Sequence, residues 1–194
     1  MEKLQKLEKK KFNDINYYWG KNIFIFPNVL DKDFCQELID FYTVNNNEKY
    51  MYSKHIDNQI FDKKIYSAIN TRLTIINQDT HCRIHTDSHY IFSMRNNPTP
   101  NRVAGAFDAA QGNVKSIVIV IGLNNDYKGG IWKFPQQNIS LKLNQGDMLC
   151  FPPFWTHPYS VSETKNNSSR YTIHSWGLEA KKSIGWINEK QNIK

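Results

Sequence analysis

The chain has 194 residues, 40% of them hydrophobic and 13% aromatic, which suffices for one domain with a single core and excludes wholesale disorder. Its net charge of +7 sits mostly at the ends: residues 1–12 hold five Lys and two Glu, and residues 180–194 four Lys and one Glu. Each tail therefore carries +3 and the body only +1. That distribution excludes an extended basic groove, so the tails read as solvated ends and nucleic acid is not an expected partner. The longest apolar run, Ile117 to Ile121, is far too short to span a bilayer, and the mostly charged stretch from Met1 to Phe12 resembles no signal peptide. A cytoplasmic protein without membrane contact is expected. Cys35, Cys82 and Cys150 are odd in number and widely separated, which points to buried reduced thiols rather than a disulfide framework or structural zinc.

In chain order, Leu4, Leu7, Phe12 and Ile15 fit an amphipathic helix, and Tyr17, Tyr18 and Trp19 an aromatic edge. Ile23 to Phe26 reads as a strand stopped by Pro27. Asp31 then caps a helix with the apolar stripe Phe34, Leu38, Phe41 and Tyr42, ended by Asn45-Asn46-Asn47. Tyr50 to Ile69 has no clear period.

From Arg72 the pattern is all-β. Strands are expected at Leu73 to Asn77, Cys82 to Thr86, Ser116 to Leu123, Ile131 to Phe134, Ile139 to Leu143, Met148 to Phe151 and Tyr171 to Leu178, separated by Gly, Pro, Asn and Asp. Ile117 to Ile121 lacks polar alternation and predicts a central strand covered on both faces. The 28 residues from Ser88 to Lys115 read as a long connection, either a substrate lid or a partly disordered loop. The β core is thus expected over 72–178 of a single domain spanning 1–194.

His85-Thr86-Asp87 closes one of these strands, and in extended chain the side chains of His85 and Asp87 share a face. An imidazole and a carboxylate so placed are two thirds of the 2-His-1-carboxylate facial triad that holds Fe(II) with three positions open. A surface turn is the plain alternative. His157, beyond Met148 to Phe151 and the turn Pro152-Pro153-Phe154-Trp155, is the candidate second histidine, against a plain core histidine. His81, His89 and His174 suit a metal chemically, but one triad needs only two histidines. In Arg170 to Trp176, alternation puts Arg170, Thr172, His174 and Trp176 on one face. If that face lines a barrel, Arg170 is a buried cation that needs an anion, and a guanidinium holds a carboxylate by two parallel bonds, with Thr172 able to add a hydroxyl.

This ordered set resembles the 2-oxoglutarate/Fe(II)-dependent oxygenases, specifically their prolyl 4-hydroxylase-like branch. Ile23 to Tyr42 resembles that branch's opening strand and helix, His85-Thr86-Asp87 its metal dyad, and Ile117 through Pro135, with Tyr127-Lys128-Gly129-Gly130, its central strand and glycine turn. Gln145 to Pro152 is similar to the strand leading to the distal histidine, and His157 with Arg170 to Trp176 to the closing pair. The resemblance implies a mainly β fold, a double-stranded β-helix of the jelly-roll or cupin kind, with flanking N-terminal helices. It implies His85, Asp87 and His157 as metal ligands, and Arg170, Thr172 and Trp176 at the cosubstrate. Fe(II), 2-oxoglutarate, O2 and ascorbate as reductant come with it. The implied activity is hydroxylation of an unactivated C–H bond on a peptidyl prolyl or other protein side chain. A free amino acid or other small molecule is the alternative substrate, and a non-catalytic β-helix binding module the alternative function. Two departures stand out: Gly122 occupies a position where the family often carries a tyrosine that helps hold the cosubstrate, and residues 77–82 lack the family's usual glycine and tyrosine. The second arginine of nucleic-acid demethylases is replaced by Trp176, and the presence of Asp87 argues against a halogenase.

Overall fold

The computed structural model describes residues 7–43, 51–55, 59–80, 84–86, 90–95, 98–102, 107–108, 113–166 and 168–179. Residues 7–15 do not make a helix, and Leu4 of the expected stripe lies outside the described residues. β1 (Glu8–Phe12) and β2 (Ile15–Gly20) form an antiparallel hairpin, with Asn13 at the turn in the left-handed region (φ 51°). Asn tolerates that conformation, and an Asn-Asp pair between alternating residues is a hairpin signal. So Lys9, Lys10 and Lys11 belong to an edge strand rather than a frayed tail, a placement that discourages edge-to-edge pairing. Tyr17 is buried and stacks on Phe26 at 5.4 Å.

β3 (Ile23–Phe26) follows, then α1 (Lys32–Thr43), whose first turn is capped as expected: the Phe34 amide donates to Asp31 Oδ1 at 2.7 Å. Phe34, Leu38 and Tyr42 are buried, whereas Phe41 is half exposed. The proposed stop at Asn45–Asn47 lies outside the described residues. β4 (Met51–His55) precedes a second helix, α2 (Gln59–Thr80), of 22 residues. Its buried stripe of Phe61, Ile65, Ile69, Leu73 and Ile76 has helical spacing. The strand expected at Leu73 to Asn77 is therefore wrong: β-branched Thr74, Ile75 and Ile76 mimic a strand locally, but the period over the longer window decides.

β5 (Ile84–Thr86), β6 (Ile91–Arg95), β7 (Thr99–Arg102) and β8 (Phe107–Asp108) lead into β9 (Asn113–Gly122). The interval 88–115 is thus no structureless lid, because three strands fall within it. β6 is an interior strand between β16 and β4. The remaining strands are β10 (Lys128–Gly129), β11 (Trp132–Phe134), β12 (Ile139–Leu141), β13 (Met148–Phe151), β14 (Tyr159–Val161), β15 (Thr164–Lys165) and β16 (Arg170–Glu179). Gly129 and Gly130 take positive φ (80° and 63°), as their turn requires.

Two antiparallel sheets face each other. The larger runs β1-β2-β3-β13-β9-β16-β6-β4, with β5 on β16 and β8 on β9; the smaller runs β12-β11-β14-β7. β9 is central and covered on both faces. Ile117, Ile119 and Ile121 join the cluster under the helices, while Val118 and Val120 join the cluster between the sheets with Trp132, Phe134, Phe151 and Tyr159. Cys35 and Cys150 are buried free thiols, and burial pushes both upward in pKa; Cys82 lies outside the described residues.

At the end of β9, Gly122 is locked into the turn before β13. Its amide donates to the Asp147 carbonyl, its carbonyl accepts from the Gly146 amide, and a Cβ there would lie 2.6 Å from the Asn144 carbonyl oxygen. No side chain fits without moving backbone. Gly122→Ala should cost about 1–3 kcal/mol in denaturant unfolding, and Gly122→Tyr more. Putting back the tyrosine that the family often carries should therefore damage this protein rather than improve it.

Candidate active site

A cavity of about 170 Å³ opens between the sheets. β6 contributes Ile91, Ser93 and Arg95; β16 contributes Arg170, His174 and Trp176. Trp132, Thr99, Tyr159 and Val161 face them from the smaller sheet. Alternation along β16 thus brings three of the four residues expected on one face to a common wall. Thr172, the fourth, is buried with its Oγ1 3.0 Å from His174 Nε2, and it does not line the cavity.

Arg170 is 3% exposed, and its Nε has no hydrogen-bond partner. Its guanidinium carbon lies 5.6 Å from the centre of the Trp132 ring, a cation–π contact. Among the described residues no carboxylate lines the cavity. Burial lowers the pKa of Arg170; Tyr127 opposes the shift, Arg95 adds to it, and Tyr159 opposes it. A buried cation without an anion is costly, so this is a site built for one. A larger cleft of about 340 Å³ beside Lys142 and Asp147 offers no comparable orphan. There Lys142 donates to the carbonyls of Asn125 and Tyr127, and Asp147 accepts from the Asn28 amide and Asn144 Nδ2.

The cavity wall runs along β16 from Arg170 past His174 to Trp176, and β5 joins β16 at the next residue: Gly177 pairs with Thr86 and Leu178 with His85. The strand carrying His85 therefore meets the end of the cavity opposite Arg170. Asn77, at the end of α2, holds that strand. Its Nδ2 donates to the Ile84 carbonyl and its Oδ1 accepts from the Ile84 amide, both at 2.8 Å. The side chain of His85 and all of Asp87 lie outside the described residues.

His157 is 5% exposed in the loop between β13 and β14 and is not part of the cavity wall. Its Nε2 is 2.8 Å from the Lys21 carbonyl oxygen and its Nδ1 2.9 Å from Thr156 Oγ1. A carbonyl only accepts, so Nε2 carries a proton and donates it there, and in the neutral imidazole the lone pair is then on Nδ1. An imidazole oriented through one N–H on a carbonyl is the usual support for a metal-ligating histidine, and here a metal would have to displace the Thr156 hydroxyl. Among the described residues no three His, Cys, Asp or Glu side chains come together. Two imidazoles and a carboxylate, the set expected of His85, His157 and Asp87, would suit Fe(II) in kind, and a buried guanidinium such as Arg170 would suit the distal carboxylate of 2-oxoglutarate.

The sequence reading missed Arg95, Thr99 and Tyr159. The first two lie in the interval taken as a loop. Tyr159 opens a three-residue strand behind Pro158, too short for alternation to show.

The sequence matches no family model and none of the curated proteins. Solved structures do match. The viral collagen prolyl hydroxylase of Paramecium bursaria Chlorella virus-1, solved as its 2-oxoglutarate complex, superposes with a TM-score of 0.67 at 13% identity, over 84% of this chain and 98% of that one. The chain has the prolyl 4-hydroxylase fold. A prolyl 4-hydroxylase of Pseudomonas putida superposes with TM-score 0.63 at 14% identity, over 82% of this chain and 93% of that one. The Trichoplax adhaerens prolyl hydroxylase, solved with a fragment of the hypoxia-inducible factor oxygen degradation domain, superposes with TM-score 0.58 at 13% identity, over 81% and 84%. Among the described residues no helix is long and apolar enough to cross a membrane.

Proposed function

We propose that this chain is an Fe(II)- and 2-oxoglutarate-dependent dioxygenase on a double-stranded β-helix, hydroxylating an unactivated C–H bond of a peptidyl prolyl or other protein side chain. One observation carries the reading: Arg170 is a buried guanidinium with an unpartnered Nε, in a cavity where no carboxylate is found among the described residues, inside a fold shared with prolyl hydroxylases. His85, Asp87 and His157 would hold the iron. Bound Fe(II) with 2-oxoglutarate and O2 supplies the oxidising power for C–H hydroxylation, and 2-oxoglutarate leaves as succinate and CO2; ascorbate serves as reductant.

The chain's own groups bind, orient and exclude water. Arg170 receives the distal carboxylate by two parallel bonds, which sets the keto-acid end toward β5. Tyr159 faces the same cavity, and we assign to it the hydroxyl role that Gly122 cannot fill. Trp132, Tyr159 and Val161, all buried, keep the cavity dry, which strengthens the Arg170 contact. The Lys21 carbonyl holds the proton on His157 Nε2, keeping the lone pair on Nδ1. The test is succinate release from 2-oxoglutarate by the full chain, with and without Fe(II), across a panel of proline-containing peptides and free amino acids. Fe(II)-dependent release stimulated by a peptide is expected; no release under any condition sinks the reading.

A further inference from the structure

Arg170 is not the only guanidinium at the cavity. Arg95, at the end of β6, is its direct cross-strand partner in the β6–β16 register, and both side chains reach the cavity wall. Like charges directly opposite on paired strands repel. Among the described residues nothing relieves the repulsion: no Asp or Glu lines the cavity and neither arginine takes part in an ion pair. Arg95 Nε donates to Ser93 Oγ at 3.1 Å, which anchors one edge of the guanidinium and leaves its terminal N–H groups to point elsewhere. Arg170 is buried while Arg95 is half-buried, so the pair runs from the floor of the cavity toward its edge.

A carboxylate has two oxygens and about four acceptor positions, enough for two guanidiniums. We propose that Arg95 is a second cosubstrate-binding residue, closing with Arg170 on the distal carboxylate of 2-oxoglutarate from the β6 side of the cavity. The proposal rests on the oxygenase reading above and adds a residue to it. It also explains why two cations are tolerated side by side: the bound carboxylate bridges them.

The experiment is anaerobic calorimetry on the full chain loaded with Mn(II), titrated with 2-oxoglutarate and, separately, with 2-oxopentanoate. The latter keeps the keto-acid end and the chain length but lacks the distal carboxylate. Arg95→Ala is expected to weaken 2-oxoglutarate by about tenfold to a hundredfold and to leave 2-oxopentanoate unchanged, since a contact made only to the missing group cannot be lost twice. Arg95→Lys should recover part of the loss. Arg95→Gln keeps a polar side chain on β6 and serves if Arg95→Ala does not fold. Unchanged 2-oxoglutarate affinity in Arg95→Ala or Arg95→Gln, with the loss confined to Arg170→Ala, overturns the proposal and leaves the oxygenase reading standing. An equal loss for both ligands also overturns it, because the effect would then be structural. A wild-type chain that does not prefer 2-oxoglutarate to 2-oxopentanoate removes the oxygenase reading, and this proposal with it.

Discussion

Arg170→Ala will lower the affinity for 2-oxoglutarate by about two to three decades. The guanidinium is 3% exposed and has an unpartnered Nε. Removing one member of a buried, hydrogen-bonded charge pair costs on the order of 3–5 kcal/mol, and each 1.4 kcal/mol is about tenfold. Arg170→Lys keeps the charge but loses the planar fork, so its loss should be intermediate. The same substitution should not destabilise the ligand-free protein in proportion. Without an anion the wild-type cation is itself a burden, and Arg170→Met, which restores apolar volume, should unfold at the wild-type temperature or above it. Calorimetry of the anaerobic Mn(II) form and thermal unfolding without ligand read the two effects separately. Wild-type affinity in Arg170→Ala would mean that another group holds the cosubstrate.

Asp87→Ala will abolish 2-oxoglutarate turnover while the fold survives. In the triad we propose, Asp87 carries the only negative charge among three protein ligands, so its loss removes both a bond and the charge that balances the metal. The described clusters that hold the sheets together are built mainly from α1, α2 and the strands, so the fold is expected to survive the substitution. Circular dichroism of the variant should match wild type, Mn(II) binding followed by electron paramagnetic resonance should collapse, and succinate release should disappear. An Asp87→Ala variant that still hydroxylates at the wild-type rate would remove Asp87 from the metal site.

Much of the β architecture is legible in the chain because its strands announce themselves locally. Ile117 to Ile121 has no polar alternation, and in the fold its residues divide between two core clusters on opposite faces of β9. Met148–Phe151 and Ile23–Phe26 are bounded by Pro, Gly and Asp, and both appear at the expected residues. Asp31 is followed by an amphipathic stripe, and the cap forms. The errors share one cause, competition between short-range and longer-range patterns. Ile75 and Ile76 look like a strand over five residues and like a helix over twenty, because Phe61, Ile65, Ile69 and Leu73 extend the stripe. Leu4, Leu7, Phe12 and Ile15 fit a helix by apolar spacing, but the turn at Asn13 divides the described part of that stretch into two strands.

For the site, the sequence alone determined the face of β16: alternation from Arg170 to Trp176 is a property of extended backbone, so the shared direction of Arg170, His174 and Trp176 needs no tertiary information. It also determined that a buried arginine there would require an anion, since desolvating a charge is costly in any fold. Which residues complete the wall was decided by tertiary structure. Arg95 and Tyr159 lie 75 residues before and 11 residues before Arg170, and only cross-strand register and the facing of two sheets bring them to it. The exclusion of a side chain at Gly122 was likewise decided there, by the Asn144 carbonyl 2.6 Å from where a Cβ would sit. Local backbone geometry dictates where a side chain points; what it meets depends on contacts between distant segments, which no local pattern encodes.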